Sequence, residues 1–236
     1  MLVTVFGDLA QNDGDGIEGP VLSALMNGMN IKPEAVRVAL HRLRNDGWIA
    51  SNKTGRTSVH ALTATGRANS AKASPRIYSA LEDMPTKWQV VLTKDNSTAQ
   101  KNAMTDLGFV QLTARVFFGA LDNPAPQDAL SLPANHAPDW LKAQFEPPKL
   151  VQDYTALFDI LSQLDTTLPP PEQLSANDVA VLRCLIVHSW RRLVLRHPAL
   201  PRDLYSQEWR GHDCRHLVNG LLTRLPKPKL AHIADK

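Results

Sequence analysis

The stretch Pro33-Glu34-Ala35-Val36-Arg37-Val38-Ala39-Leu40-His41-Arg42-Leu43-Arg44-Asn45-Asp46-Gly47 constrains the chain most. Val36, Ala39, Leu40 and Leu43 recur at the i, i+3, i+4, i+7 spacing of a helix with one buried face. Pro33 suits a first helical turn, and Gly47 suits the position just past a helix end. Arg37, His41, Arg42 and Arg44 fall outside the apolar stripe, so this helix must seat one face on a core and present cations on the other.

The flanking sequence supplies a setting. Met1 to Gln11 is apolar, free of proline and predicted helical, and Asn12-Asp13-Gly14-Asp15-Gly16 is a turn cluster. Pro20 to Met29 predicts a second helix with Val21, Leu22, Leu25 and Met26 on one face, broken by Gly28 and Asn30. After the basic helix, Trp48 to Ser51 reads as a strand, 52–56 as a turn carrying Lys53 and Arg56, and Thr57 to Leu62 as the return strand. Helix, helix, basic helix and basic-tipped hairpin is the layout of a winged helix-turn-helix. Its third helix fits the major groove, where Arg37, His41, Arg42 and Arg44 reach base edges or phosphates. Lys32, Lys53, Arg56, Thr57 and Ser58 would then position the DNA backbone.

Charge supports this placement. The whole chain of 236 residues carries only +3, but residues 27–74 hold eight Lys or Arg against two acids, a local net of +6. Residues 1–26 carry four acids and no Lys or Arg, and 75–148 carry six bases against eight acids. A basic patch of this kind is an electrostatic footprint for polyanions. No apolar run approaches the ~20 residues that span a bilayer. The start has no basic segment of a secretory leader. Two cysteines are too few for a disulfide framework, so a reducing cytoplasm is expected. There is no phosphate loop, glycine-rich dinucleotide turn or nucleophile elbow, and no enzymatic activity is expected.

Further along, 67–87 reads as a helical linker leading to Pro85, Trp88 to Thr93 as a strand, and Ser97 to Leu107 as a helix with Ser97 as N-cap and Gly108 as stop. Phe109 to Phe118 reads as one or two strands. The stretch 122–148, with six prolines, reads as loop with a short helix around Trp140. Asp95, after the first of these strands, is read as a turn residue rather than a metal ligand. Lys149 to Asp165 and Ser175 to His197 are amphipathic helices, the second with Val179, Leu182, Ile186, Trp190 and Leu193 at intervals of three or four. Cys184 and His188 at i, i+4, with His212, Cys214 and His216, resemble zinc-ligand spacing. Such spacing arises by chance in a chain with eight histidines, and no metal is expected.

Three passages together resemble the PaaX family of transcriptional regulators, the phenylacetic acid degradation repressors. They are Val3-Thr4-Val5-Phe6-Gly7-Asp8-Leu9; Glu34 through Ile49 with Gly55-Arg56 and Leu62-Thr63; and Leu185 through Pro201 with Glu208-Trp209-Arg210-Gly211. The resemblance implies an α+β chain in three parts: a winged helix (1–70), a linker helix and ferredoxin-like, Cas2-like domain (71–148), and a helical C-terminal domain (149–236). It implies a homodimeric repressor that binds a double-stranded operator and is released by an aryl-acyl-CoA, typically phenylacetyl-CoA. On that implication Arg191, Arg192 and Arg196 would hold CoA phosphates, because Arg binds phosphate bidentately, and Trp190 and Trp209, with Tyr205, would line an apolar effector pocket. The local alternative is that the arginines complement a helix C-terminus and pair with Asp203 or Glu208, and that the aromatics are core. Thr57-Ser58-Val59-His60 stands where the family often carries an aromatic pair, and His197 where it carries Asp.

Overall fold

The computed structural model describes residues 1–55 and 57–233. Arg56 lies outside the described residues. The chain mixes helices with two antiparallel sheets and divides into two compact units. The first unit takes Met1–Tyr78, Asp159–Arg192 and the segment from Leu217 on; the second takes Ser79–Phe158 and Leu193–His216.

The first unit begins with helices α1 (Leu2–Leu9), α2 (Gly19–Gly28) and α3 (Pro33–Asn45). Prolines open α2 and α3, where a missing N–H costs no helical bond. Both helices end in the same way. Asn30, at φ 57°, follows α2, with Asn30 N–H donating to Asn27 O and Ile31 N–H to Met26 O. Gly47, at φ 69°, follows α3, with Gly47 N–H donating to Arg44 O and Trp48 N–H to Leu43 O. This paired closure satisfies the last helical carbonyls and turns the chain out of each helix at a defined angle.

Strands β1 (Ile17–Glu18), β2 (Ile49–Thr54) and β3 (Thr57–Leu62) form a sheet in the order β1-β3-β2. The β2–β3 ladder runs from Ile49↔Leu62 to Thr54↔Thr57, so strand pairing reaches closer to the tip than the expected turn over 52–56. Lys53 is therefore a strand residue opposite Ser58, not a turn residue. Gly55, at φ 62°, makes the tight connection feasible. Strand β1 was not expected from the sequence; it is two residues long, and its pairing (Ile17↔His60) is visible only once β3 is in place.

Helix α4 (Ala64–Tyr78) follows. The predicted linker helix over 67–87 stops at Tyr78, and 79–87 is irregular. Thr63 fastens this junction: its hydroxyl donates to Gly47 O (2.6 Å) and accepts from Gly66 N–H (3.0 Å), while its own N–H donates to Trp48 O (3.0 Å). The end of α3, the exit of the hairpin and the start of α4 are thus held together. One core gathers Val5, Phe6, Ile17, Leu22, Leu25, Met26, Ile49 and Leu62 with Val181 and Cys184. Each such side chain removed from water contributes about 1.5–3 kcal/mol. Val36, Ala39, Leu40 and Leu43 of α3 lie half-buried against this core.

The second unit contains β4 (Trp88–Leu92), α5 (Thr98–Asp106), β5 (Val110–Thr113), β6 (Val116–Ala120), β7 (Leu130–Ala134) and α6 (Asp139–Phe145). The sheet order is β5-β6-β4-β7, all antiparallel. Ser97 caps α5 as expected, accepting from Gln100 N–H. Met104 of α5 packs with Val91, Phe109 and Phe117, while Trp88 stacks on Phe118 and Phe118 meets the edge of Phe145. Strand β7 corrects the reading of 122–148 as loop with one short helix. Its Pro133 argues against a central strand, but β7 is an edge, paired only with β4.

Helices α7 (Pro148–Thr167), α8 (Ala176–Val194) and α9 (Arg210–Arg224) complete the chain, each contributing residues to both units. No helix among the described residues is long and apolar enough to cross a membrane.

Candidate nucleic-acid interface

The amphipathic division of α3 leaves its outer face in water. Lys32, which precedes the helix, and Arg37, His41, Arg42 and Arg44 are all exposed. Three of these side chains make short-range contacts along the helix. Arg37 Nη2 donates to Glu34 Oε1 (3.0 Å), Arg42 Nε lies 3.6 Å from Asp46 Oδ2, and Asn45 Nδ2 is 3.4 Å from His41 Nδ1. Exposed pairs of this type contribute about 0–1 kcal/mol and exchange readily for a stronger anion.

On the hairpin, Lys53 and Ser58 are exposed and face one another across the ladder, while Thr57 is half-buried. The sequence assigned Arg56 to the same tip, outside the described residues. His60 is buried, and its Nδ1 lies 2.7 Å from Ser51 Oγ. Burial, and then the nearby Arg44, push its pKa below the usual histidine value, so it stays neutral beside a basic surface.

The residues singled out for an effector divide between the two units. In the first, Trp190 is 1% exposed and its indole N–H donates to Ile77 O (2.9 Å), so it acts as core. Arg191 donates to Thr4 Oγ1 (3.2 Å) rather than to Asp203 or Glu208, and Arg192 is exposed. Thr4 Oγ1 also lies 3.1 Å from His188 Nδ1. A cavity beside Thr4, Ser70, Tyr78 and Arg191 measures only about 20 Å³, room for a single water.

In the second unit Arg196 is exposed, and Trp209 is buried in an aromatic cluster with Tyr154, His197 and Tyr205. His197 Nε2 lies 3.1 Å from Phe145 O, and Tyr205 OH 3.2 Å from His197 Nδ1. An open groove of about 400 Å³ beside this cluster is lined by Lys142, Arg202, Tyr205, Trp209 and His212.

The zinc-like spacing does not converge. Cys184 and His188 belong to the first unit, and His212, Cys214 and His216 to the second. Among the described residues no group of three or more His, Cys, Asp or Glu is arranged to hold a metal. Cys184 is buried, which pushes its thiol up to about 12, and Cys214 Sγ donates to Tyr154 O. Asp95 accepts from Ser97 N–H, the turn role expected of it.

Sequence reasoning missed one buried ion pair in the first unit. Arg183 Nε donates to Asp8 Oδ2 (2.7 Å), with the side chains 7% and 0% exposed. Tyr78 OH adds a bond to Asp8 Oδ1 (2.9 Å), and Arg183 Nη1 donates to Leu222 O and Leu225 O. The only signal was two charged residues within apolar-periodic segments.

Two family models match the chain. One, described as PaaX-like protein, matches residues 1–66; the other, described as PaaX-like protein C-terminal domain, matches residues 145–235. The chain is 26% identical over 264 aligned positions to transcriptional repressor PaaX of Escherichia coli (strain K12), an alignment that takes in all of this chain and 83% of that protein. A solved structure of an uncharacterized protein from Mycobacterium tuberculosis aligns with a TM-score of 0.54 at 16% identity, over 99% of this chain and 95% of that one. That likeness is one of fold.

Proposed function

This chain belongs to the PaaX family of transcriptional regulators, and from that premise we propose that it is a homodimeric repressor whose first 70 residues form a winged helix that reads a double-stranded operator. The observation that carries the reading is α3: its apolar stripe is seated on the core, and Arg37, His41, Arg42 and Arg44 all face solvent beside the exposed Lys53 and Ser58 of the hairpin. A helix so mounted enters a major groove with its side chains toward base edges, while hairpin and Lys32 contacts to phosphate set its register.

The remaining architecture is proposed in the same terms. Strand, helix, strand, strand, strand from β4 to β7 follows a split βαβ arrangement with 121–129 in place of a second helix, which supports a ferredoxin-like domain over 71–148. The matched family segments end at 66 and begin again at 145, near the proposed boundaries at 70 and 148. Residues 149–236 would be the helical C-terminal domain. A dimer would read a palindrome whose half-site spacing follows its own symmetry. An aryl-acyl-CoA such as phenylacetyl-CoA would release it by binding better to an arrangement that no longer fits the operator. Arg191, Arg192, Arg196, Trp190 and Trp209 remain the residues proposed for that effector. The exposed Arg192 and Arg196 suit phosphate, and Trp190 and Trp209 act chiefly through packing.

Operator titrations over a range of salt test the reading. Arg37→Ala should weaken binding and, if Arg37 contacts a phosphate, lower the slope of log Kd against log salt by about one. Unchanged affinity and slope would remove α3 from the interface. For the effector, phenylacetyl-CoA should raise the melting temperature by mass action; no shift at saturating ligand would refute that part.

A further inference from the structure

The outer face of α3 carries one residue that the cations do not explain. Val38 is 71% exposed, the most exposed of the large hydrophobic side chains among the described residues. On the 3.6-residue period, Val36, Ala39, Leu40 and Leu43 share the side turned to the core, and Val38 falls about opposite them. Arg37, His41 and Arg42 stand at its i−1, i+3 and i+4 positions. A single exposed valine is ordinary on a protein surface. Here it occupies the middle of the face proposed to meet DNA, where a β-branched residue also has a lower helix propensity than alanine. Neither the core nor the helix gains from it.

The geometry points to Val38 as a specificity-determining residue that packs on the C5-methyl group of a thymine in the operator; this rests on the repressor reading above. Valine has no donor or acceptor. Set against the major-groove edge of guanine, adenine or cytosine, it would strip water from base hydrogen-bonding groups and return nothing, which weakens binding for each group left unpaired. Thymine alone presents a methyl group there, and burying it against Val38 is favourable by about 0.8 kcal/mol, or about fourfold in affinity. The neighbouring cations hold the helix at the groove. Val38 thus reads one base pair by shape and apolarity, adding selectivity with no added charge and no added salt dependence.

The test uses full-length protein. A binding sequence is enriched from random duplexes, and each thymine of the site is then replaced singly by deoxyuridine, which pairs identically but lacks the methyl. At one position per half-site, deoxyuridine should weaken binding about fourfold, and Val38→Ala should abolish that sensitivity while leaving the salt slope unchanged. Val38 is exposed and alanine is the better helix former, so Val38→Ala should melt at or slightly above the wild type. An enriched sequence indifferent to deoxyuridine, or one whose sensitivity survives Val38→Ala, overturns the inference while leaving the repressor reading intact. Failure to enrich any sequence overturns both.

Discussion

Asp8→Asn is the substitution whose consequence follows most directly from the structure. The carboxylate is fully buried and accepts Arg183 Nε at 2.7 Å, Arg183 Nη2 at 3.2 Å and Tyr78 OH at 2.9 Å. Asparagine matches it in shape but presents an N–H₂ to one of those donors and removes the charge. Arg183, 7% exposed, would keep only neutral acceptors, the carbonyls of Leu222 and Leu225 and the remaining amide oxygen. Stranding one partner of a buried pair costs about 3–5 kcal/mol. In a chain of this length each kcal/mol lowers the melting temperature by about 2–4 °C, so a fall of about 6–20 °C is expected. The double variant Asp8→Asn/Arg183→Met removes the stranded charge but leaves two carbonyls without their donor, about 1 kcal/mol each because an under-satisfied C=O sits at the low end of the cost. It should therefore melt between Asp8→Asn and the wild type. Calorimetric melts of the three proteins at pH 7 decide the matter. A loss below about 1 kcal/mol in Asp8→Asn, or a double variant less stable than the single, would refute the reasoning.

Two further outcomes concern packing and protonation. A Cβ at Gly66 would sit 2.1 Å from Trp48 O, which is backbone and cannot rotate away, so Gly66→Ala should cost about 3 kcal/mol. Gly47→Ala meets no neighbour and bears only its left-handed φ of 69°, about 1–2 kcal/mol; urea midpoints should rank the two in that order. His212, held down to about pKa 4 by burial and then by Arg202 and Arg215, stays neutral in the folded protein. Between pH 6.5 and 4 the unfolded chain binds a proton there that the native state refuses, so stability falls as pH drops through that window. His212→Gln should flatten the fall in urea midpoint from pH 7 to pH 5, and an unchanged fall would assign it to other groups.

Much of the first unit was legible in the sequence because its signals are local. The stripe Val36, Ala39, Leu40, Leu43, the proline openings and the left-handed Asn30 and Gly47 all act within about five residues. The candidate interface followed from them, since cations that cannot join an apolar stripe must face water. Lys53 shows the limit: the turn signature of 52–56 competed with strand pairing, and the ladder with β3 claimed all but the tip.

The elements that escaped the sequence owe their form to distant partners. Strand β1 has two residues and no pattern of its own; Ile17 is a strand residue because His60 stands opposite. Strand β7 keeps Pro133 because only one of its sides is paired. Asp8 and Arg183 are 175 positions apart, and each reads alone as a charge misplaced in an apolar helix. Residues proposed for an effector that one passage of sequence put side by side are assigned to different units, Trp190 to the first and Arg196 to the second. Helix period, caps and charge are set by neighbours along the chain, so the sequence alone decided that α3 is a basic, half-buried helix. Which charges are buried, which strands have an edge and where Val38 points were decided by packing, because burial is a property of what the rest of the chain places overhead.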